Sequence, residues 1–401
     1  MVSASNESFI HVMPDCRLMM SLQEKYTSEL SDYLDGHYIE LFWKGRVGLY
    51  ALLKTFGVGA GDEVVMPAFT CVVVPSAVIY LGAKPVFVDI EARSYSATSK
   101  AIANAVSENT KVIICQNTFG LSVEIEEIVS FANMKGIYTI EDCTHGFGGK
   151  YSRRPNGTYC DAAIYSTQWN KPFSTGVGGF ITAEKPELID KLAEVTQHAV
   201  KPGFMEQVQL FILYLLKKIL VNRYTYWTIL KFYRLLSKKG IVVGSSSPEE
   251  LEGTNQPEDY FKKSGLVQAI LGRKALRNLE GTLVKRRENA EIYTNALKEL
   301  GKNHVALNFF DNHSFLVYPL LVKDKVEFAD LAENNQIMLG DWFASPLHPI
   351  TDSLERWGLN IEEFPVARYC SKHIVNLPTN INDPSAVVSF LKSQSGQLID
   401  G

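Results

Sequence analysis

From Gly45 onward the chain repeats one pattern, an unbroken apolar run of about five residues followed by an apolar-periodic helix. GDEVVMP, PVFVDI, KVIICQN and YTIEDC read as strands. RVGLYALLKTFG, CVVVPSAVIYLG, SKAIANAVSE and EIEEIVSFANMKG read as the helices around them. Strands that are apolar on both faces and alternate with helices form βαβ units, so a mainly parallel sheet sandwiched by helices is expected. In such sheets ligands sit at the carboxyl ends of the strands. Two more buried strands, DAAIYST and GGFITAE, flank the connector STQWNKPFSTGVGG, whose one lysine is Lys171.

Outside that repeat the reading is coarser. Residues 1–40 look like a mixed, mostly helical lead-in, and PELIDKLAEVTQHA is a helix opened by proline. Residues 241–259 read as a loop, and SGLVQAILGRKALRNLEGTLVKRRENAEIYTNALKEL as one long helix or two in succession. Then come a strand FLVYPLLV, a helix KVEFADLAENNQ, a strand IMLGDWF and a closing helix DPSAVVSFLKS with Asp383 at its cap. The expected division is a large domain over 1–260 and a small C-terminal α+β domain over 261–401, and 401 residues suffice for both cores. A net charge of −4 gives no support for nucleic-acid binding. The six cysteines lie apart with no CxxC pair, which argues against structural zinc and for a reducing, cytoplasmic setting. No signal peptide is read at the N-terminus. The longest apolar run, Leu210–Leu216, is far short of the roughly 20 residues a spanning helix needs.

Three fragments converge on the carboxyl edge. Gly45, Arg46 and Val47 open a helix, where backbone amides cradle a phosphate and a guanidinium can add an ion pair; a plain helix start is the competing reading. Asp142 ends a strand and is followed by His145; a carboxylate there can hold a pyridinium nitrogen protonated, or merely cap a helix. Ser166 precedes Lys171 by five residues and can reach the same phosphate, while lysine forms Schiff bases with carbonyl cofactors. Phosphate donors, a carboxylate and an imine-forming amine are together what pyridoxal 5'-phosphate requires. The glycines Gly176, Gly178 and Gly179 make no GxGxxG after the first strand, so a nicotinamide cofactor is not expected.

GDEVVMPAFT, YLGAKPVFVDI, IEDCTHGFGGKY, STQWNK, STGVGG and Phe364–Ala367 (FPVA), in this order, resemble the DegT/StrS family of sugar aminotransferases, from about Gly45 to Val195 and again from about Ser264 to Leu391. The resemblance implies the fold of PLP-dependent transferases and pyridoxal 5'-phosphate as cofactor. It implies transfer of an amino group, typically from glutamate, to a keto group of a nucleotide-linked sugar for surface polysaccharide or lipopolysaccharide assembly, by a cytoplasmic homodimer with shared sites. By position, Lys171 is the imine-forming and proton-moving residue, Asp142 the pyridinium partner, His145 a residue beside the ring, Ser166 a phosphate ligand, and Arg46 with Val47 the phosphate loop.

Departures from the family pattern are specific. Cys71 stands where an aromatic usually covers the cofactor ring, leaving Phe69 or Trp169 to do so. Arg46 and Val47 replace hydroxyl residues, and Lys262 or Lys263 stands where a neighbouring subunit lends an asparagine. Arg153, Arg154 and His348 are candidates for substrate contact, with surface charges and a loop histidine as the plainer reading. A sugar dehydratase of the same family is the nearest alternative, against which Lys171 itself argues; a silent, membrane-associated regulatory homologue is another. Residues 201–240 hold eight lysines and arginines against the one acid Glu206, a local charge of +7, with eight aromatics. They read as an insertion packed on its own domain or a dimer partner, or, over 204–236, as a surface resting on anionic membrane.

Overall fold

A computed structural model describes residues 20–401 except 124, 223, 230, 232–234, 236–249, 252, 307–311 and 341. About half of the loop expected over 241–259, and 223, 230, 232–234 and 236–240 of the 201–240 segment, therefore lie outside the described residues, as does the start of the N-terminal lead-in.

The central sheet has seven strands: β1 (Tyr38–Phe42), β2 (Glu63–Pro67), β4 (Lys84–Val88), β5 (Thr110–Gln116), β6 (Tyr138–Asp142), β9 (Ala162–Ser166) and β10 (Gly179–Ala183), in the order β1-β10-β9-β6-β5-β2-β4. From β9 to β4 all neighbours are parallel, and β10 and β1 close the edge antiparallel. The expected mainly parallel sheet is present, with every strand read from the repeat. The edge strand β1 was instead expected inside a helical lead-in. YIELF has only five residues and its partner β10 lies some 140 residues downstream, so nothing local announces the pairing. Helix α1 (Leu22–Tyr33), capped by a Ser21–Glu24 box, supplies the helical part of that lead-in.

Helix α2 (Gly45–Thr55) lies across β1, β9 and β10 and buries nearly its whole length, including Leu49, Leu52 and Leu53. Glycine makes this possible at its start. A Cβ on Gly45 would fall 2.8 Å from the Tyr165 carbonyl oxygen and 3.3 Å from Ser166 Cβ. The first turn of α2 is thus pressed onto the carboxyl end of β9. Further along, α3 (Val73–Ile79), α4 (Ser99–Ala105), α5 (Ile125–Lys135) and α6 (Pro186–Thr196) alternate with the strands as expected.

Past residue 260, α8 (Leu266–Arg277) and α9 (Leu279–Glu299) are two helices broken at Asn278, and α8 packs on α1. A two-stranded sheet of β11 (Tyr318–Leu321) and β13 (Ile374–Leu377) carries α10 (Lys325–Asn334); α11 (Pro365–His373) leads into β13, and α12 (Ser385–Ser393) packs on α9. Asp383 accepts the Ser385 amide at the start of α12. Among the described residues of IMLGDWF the expected strand is not formed: only Gly340 pairs, with Asn376, and the chain then leaves that sheet. It arrives at β12 (Leu347–His348), which lies parallel to the two-residue strand β3 (Thr70–Cys71). CVVVPSAVIYLG accordingly starts with β3, and its helix begins only at Val73.

Candidate active site

A cleft enclosing about 550 Å³, solvent-open space included, lies at the carboxyl edge of the sheet; its wall includes Gly45, Arg46, Cys71, Asp142, Ser166, Lys171 and Trp342. Strand topology explains the convergence. In register, Asp142 of β6 is beside Ile164 of β9, and Ser166 is opposite Gly179 of β10, next to Phe42 and the start of α2.

Lys171 is buried on the connector between β9 and β10, and that connector is braced. Thr167 donates its amide to the Gly178 carbonyl (2.9 Å), and Thr175 donates its amide to the Thr167 carbonyl (2.8 Å). The Thr167 and Thr175 hydroxyls are 2.7 Å apart. From outside, Gln268 Nε2 donates to the carbonyls of Val177 (2.6 Å) and Trp43 (3.1 Å). Burial pulls the Lys171 ammonium down to about 8, the repulsion of Arg46 acting in the same direction and the negative charge available to Cys71 and Asp142 resisting it. A fraction of the side chain is then the free amine near neutral pH, the form that adds to a carbonyl.

Asp142 is buried, and burial raises its carboxyl, opposed by the Thr144 hydrogen bonds and by the Lys171 charge. Thr144 donates its amide to Oδ1 (2.9 Å), which fixes the carboxylate toward the cleft. At the start of α2, Lys44 precedes the helix without a side-chain cap, so its opening amides are left to other partners. Val47 stands off the wall. Its amide donates to the Lys44 carbonyl (3.1 Å) and its side chain is core.

Arg46 is engaged inside the protein. Its Nη1 is 2.6 Å from Glu250 Oε1, with Lys44 Nζ 3.5 Å from Oε2 of the same buried carboxylate, and the Tyr260 hydroxyl donates to the Arg46 carbonyl. Glu250 was missed in the sequence, where SPEEL offers only turn residues and acids. Lys262 and Lys263 are paired as well, with Glu206 (2.8 Å) and Glu40 (3.5 Å). Arg154 lies on the ring of Tyr159 and donates to the Thr158 carbonyl at the exposed hairpin of β7 (Lys150–Tyr151) and β8 (Arg154–Pro155), away from the cleft.

His145 is buried behind the wall. Phe119 donates its amide to His145 Nδ1 (3.2 Å), which assigns the ring proton to Nε2, and burial with the Lys171 and His348 charges holds the imidazole neutral. Phe69 and Trp169, the candidates for the missing ring cover, do not line the cleft. Phe69 packs in the core on Phe343 at 4.4 Å. Trp169 lies under Lys217 of α7 (Phe204–Leu220). The aromatic that does line the cleft is Trp342, whose ring centroid is 4.3 Å from Lys171 Nζ. No cluster of His, Cys, Asp or Glu among the described residues has metal-binding geometry.

These donors fit pyridoxal 5'-phosphate. Ser166 and a glycine-thinned helix start supply a cradle that a Cβ on Gly45 would disturb, and an amine and a carboxylate share the cleft beside it. The architecture is that of PLP-dependent transferases. Residues 18–212 and 263–383 match the DegT/DnrJ/EryC1/StrS aminotransferase family, and the chain belongs to it. Among curated relatives, it is 30% identical over 168 residues to GDP-perosamine synthase of Escherichia coli O157:H7 (42% of this chain, 46% of that one). It is 34% identical over 155 residues to UDP-N-acetyl-3-dehydro-alpha-D-glucosamine 3-aminotransferase of Acidithiobacillus ferrooxidans (38% and 42%). It is also 34% identical over 165 residues to a pleiotropic regulatory protein of Geobacillus stearothermophilus (41% and 44%). Each alignment spans under half of the relative. Among solved structures, a DegT/DnrJ/EryC1/StrS aminotransferase from Brucella abortus superposes with a TM-score of 0.73 at 22% identity (94% of this chain, 91% of that one). The GDP-4-keto-6-deoxy-D-mannose-3-dehydratase of E. coli, with bound hydrated PLP, superposes at 0.70 and 17% identity (94% and 92%).

Proposed function

We propose that this protein is a PLP-dependent aminotransferase that moves an amino group, with glutamate as donor, onto a keto group of a nucleotide-linked sugar for surface polysaccharide or glycoconjugate synthesis in the cytoplasm. The observation that carries the reading is the buried Lys171 amine sharing one cleft with Asp142 beneath the start of α2. When bound, the cofactor supplies an electron sink for charge developing on the substrate carbon. The protein's residues do the rest. The start of α2 and Ser166 take the phosphate, and Asp142 holds the proton on the pyridine nitrogen. Lys171 Nζ, depressed toward neutrality by burial, takes and returns the proton at the substrate carbon. His145 acts from behind the wall as a neutral support.

A dehydratase of the same family is disfavoured by Lys171, which in the aminotransferase reading is needed for proton return. A silent regulatory homologue is disfavoured by the joint presence of Lys171, Asp142 and Ser166. The aminotransferase and the silent readings separate in one spectral experiment, and the mass of the sugar product, amine gained or water lost, separates the dehydratase. Glutamate should bleach the aldehyde-form absorbance of the PLP-loaded protein, and a nucleotide-linked keto sugar should restore it. A protein that binds PLP but never bleaches with any amino donor would remove the aminotransferase reading.

The chain is further proposed to work as a homodimer through α7. That helix buries Leu210 and turns Lys217 inward onto the Trp169 carbonyl (2.8 Å), yet exposes Phe204, Met205, Phe211, Ile212, Leu215, Leu216, Ile219 and Leu220. Leu266 and Ile270 of α8 extend the exposed apolar surface. Surfaces of this kind mark protein–protein or membrane contact sites, and a second copy is the cover proposed here. Anionic membrane is the less favoured cover. Lys217 turns inward onto the protein and Lys231 pairs with Glu333 (2.6 Å), so two of the cations that suggested lipid are engaged by protein groups. No helix among the described residues is long and apolar enough to cross a membrane.

A further inference from the structure

We infer that Trp342 is the aromatic wall of the cofactor site, packing on the pyridine ring held at Lys171 in place of the side chain that Cys71 lacks. The inference rests on the PLP reading above. Cys71 and Trp342 line the same cleft, and Trp342 is the one aromatic among its described lining residues. Its indole faces Lys171 Nζ at 4.3 Å, so a group bonded to Nζ stands beside the ring.

The indole is held there from behind. His348 lies 4.3 Å from it at a 30° tilt and His145 meets it edge-on at 4.9 Å. His348 is anchored in turn by the parallel pairing of β12 with β3, where it is the register partner of Cys71. The C-terminal half thus brings an aromatic to the place where the β3 side chain is only a thiol. A π-face beside the amine also favours its charged form, partly offsetting the burial that disfavours it.

The test is a PLP titration of the full-length protein by visible absorbance and induced circular dichroism, with W342F, W342L and W342A. Borohydride trapping on Lys171 and the melting temperature without PLP serve as controls. Leucine and alanine should weaken PLP binding by about 3- to 10-fold and alter the dichroic band, with phenylalanine within about twofold of wild type. A leucine variant that bound PLP as tightly as wild type, with an unchanged band, would overturn the inference while leaving the PLP reading intact. Absence of a trapped adduct in wild type would instead defeat the PLP reading, and this inference with it. Should leucine and alanine prevent folding, indole emission of wild type against W342F decides. With PLP bound the two should coincide although the free proteins differ, and an undiminished difference would overturn the assignment.

Discussion

At the scale of the residue, Lys171 is set apart from a surface lysine by burial. Because burial disfavours the ammonium, the amine emerges as pH rises through about 8 rather than near the ordinary lysine value of about 10.4. The extent of borohydride-trapped PLP at a fixed short time should rise with a midpoint near pH 8, and a midpoint near 10 would contradict the buried placement. Gly45 carries the complementary claim. G45A places a methyl 2.8 Å from a backbone oxygen that cannot rotate away, so the start of α2 must lift. PLP affinity should fall by about 1–3 kcal/mol, whereas G59A, with nothing within 4 Å, should titrate like wild type. Cys71 offers a third check. It is the least buried of the described cysteines and lines the cleft, so bound PLP should slow its alkylation, read by peptide mass. Lys171, Asp142 and Ser166 were legible because each stands at or just beyond the end of a strand whose apolar run is itself legible. The Arg46–Glu250 pair was not, since a buried carboxylate 204 residues away leaves no local pattern.

At the scale of the element, the strand–helix alternation could be read because each unit buries its own apolar run. β1 and the stretch 337–343 could not, because their state is decided by distant partners: β10 for the first, and the single Gly340–Asn376 pairing followed by departure toward β3 for the second. Helix α7 shows both sides. Its apolar content was plain, but which residue braces the lysine connector was not. Leu210 fills the space beside Gly176 and packs with Trp43 and Val177. L210A should cost about 2–5 kcal/mol of stability and loosen the connector, measured as a lower melting temperature together with faster PLP loss.

At the scale of the whole molecule, the two halves share one continuous core, from Phe42 and Phe69 of the large sheet to Phe343, Leu347 and Trp357 near the C-terminus. That continuity lets a segment beyond residue 340 furnish a wall of a cleft built by residues 44–178. The outward apolar face of α7 extends the same logic to a second copy. Light scattering should give a dimer mass near 90 kDa, about twice the 44.9 kDa chain, and charged replacements of Phe204 and Ile212 should yield monomer. A wild-type monomer at micromolar concentration would contradict the dimer reading. The central claim is that Lys171 holds the cofactor, and its most direct measurement is borohydride reduction of the PLP-loaded protein followed by peptide mass mapping. The expected result is a single pyridoxyl adduct on Lys171, absent from a folded K171A variant that has lost the visible band. An adduct on another lysine, or one retained in full by K171A, would contradict the account.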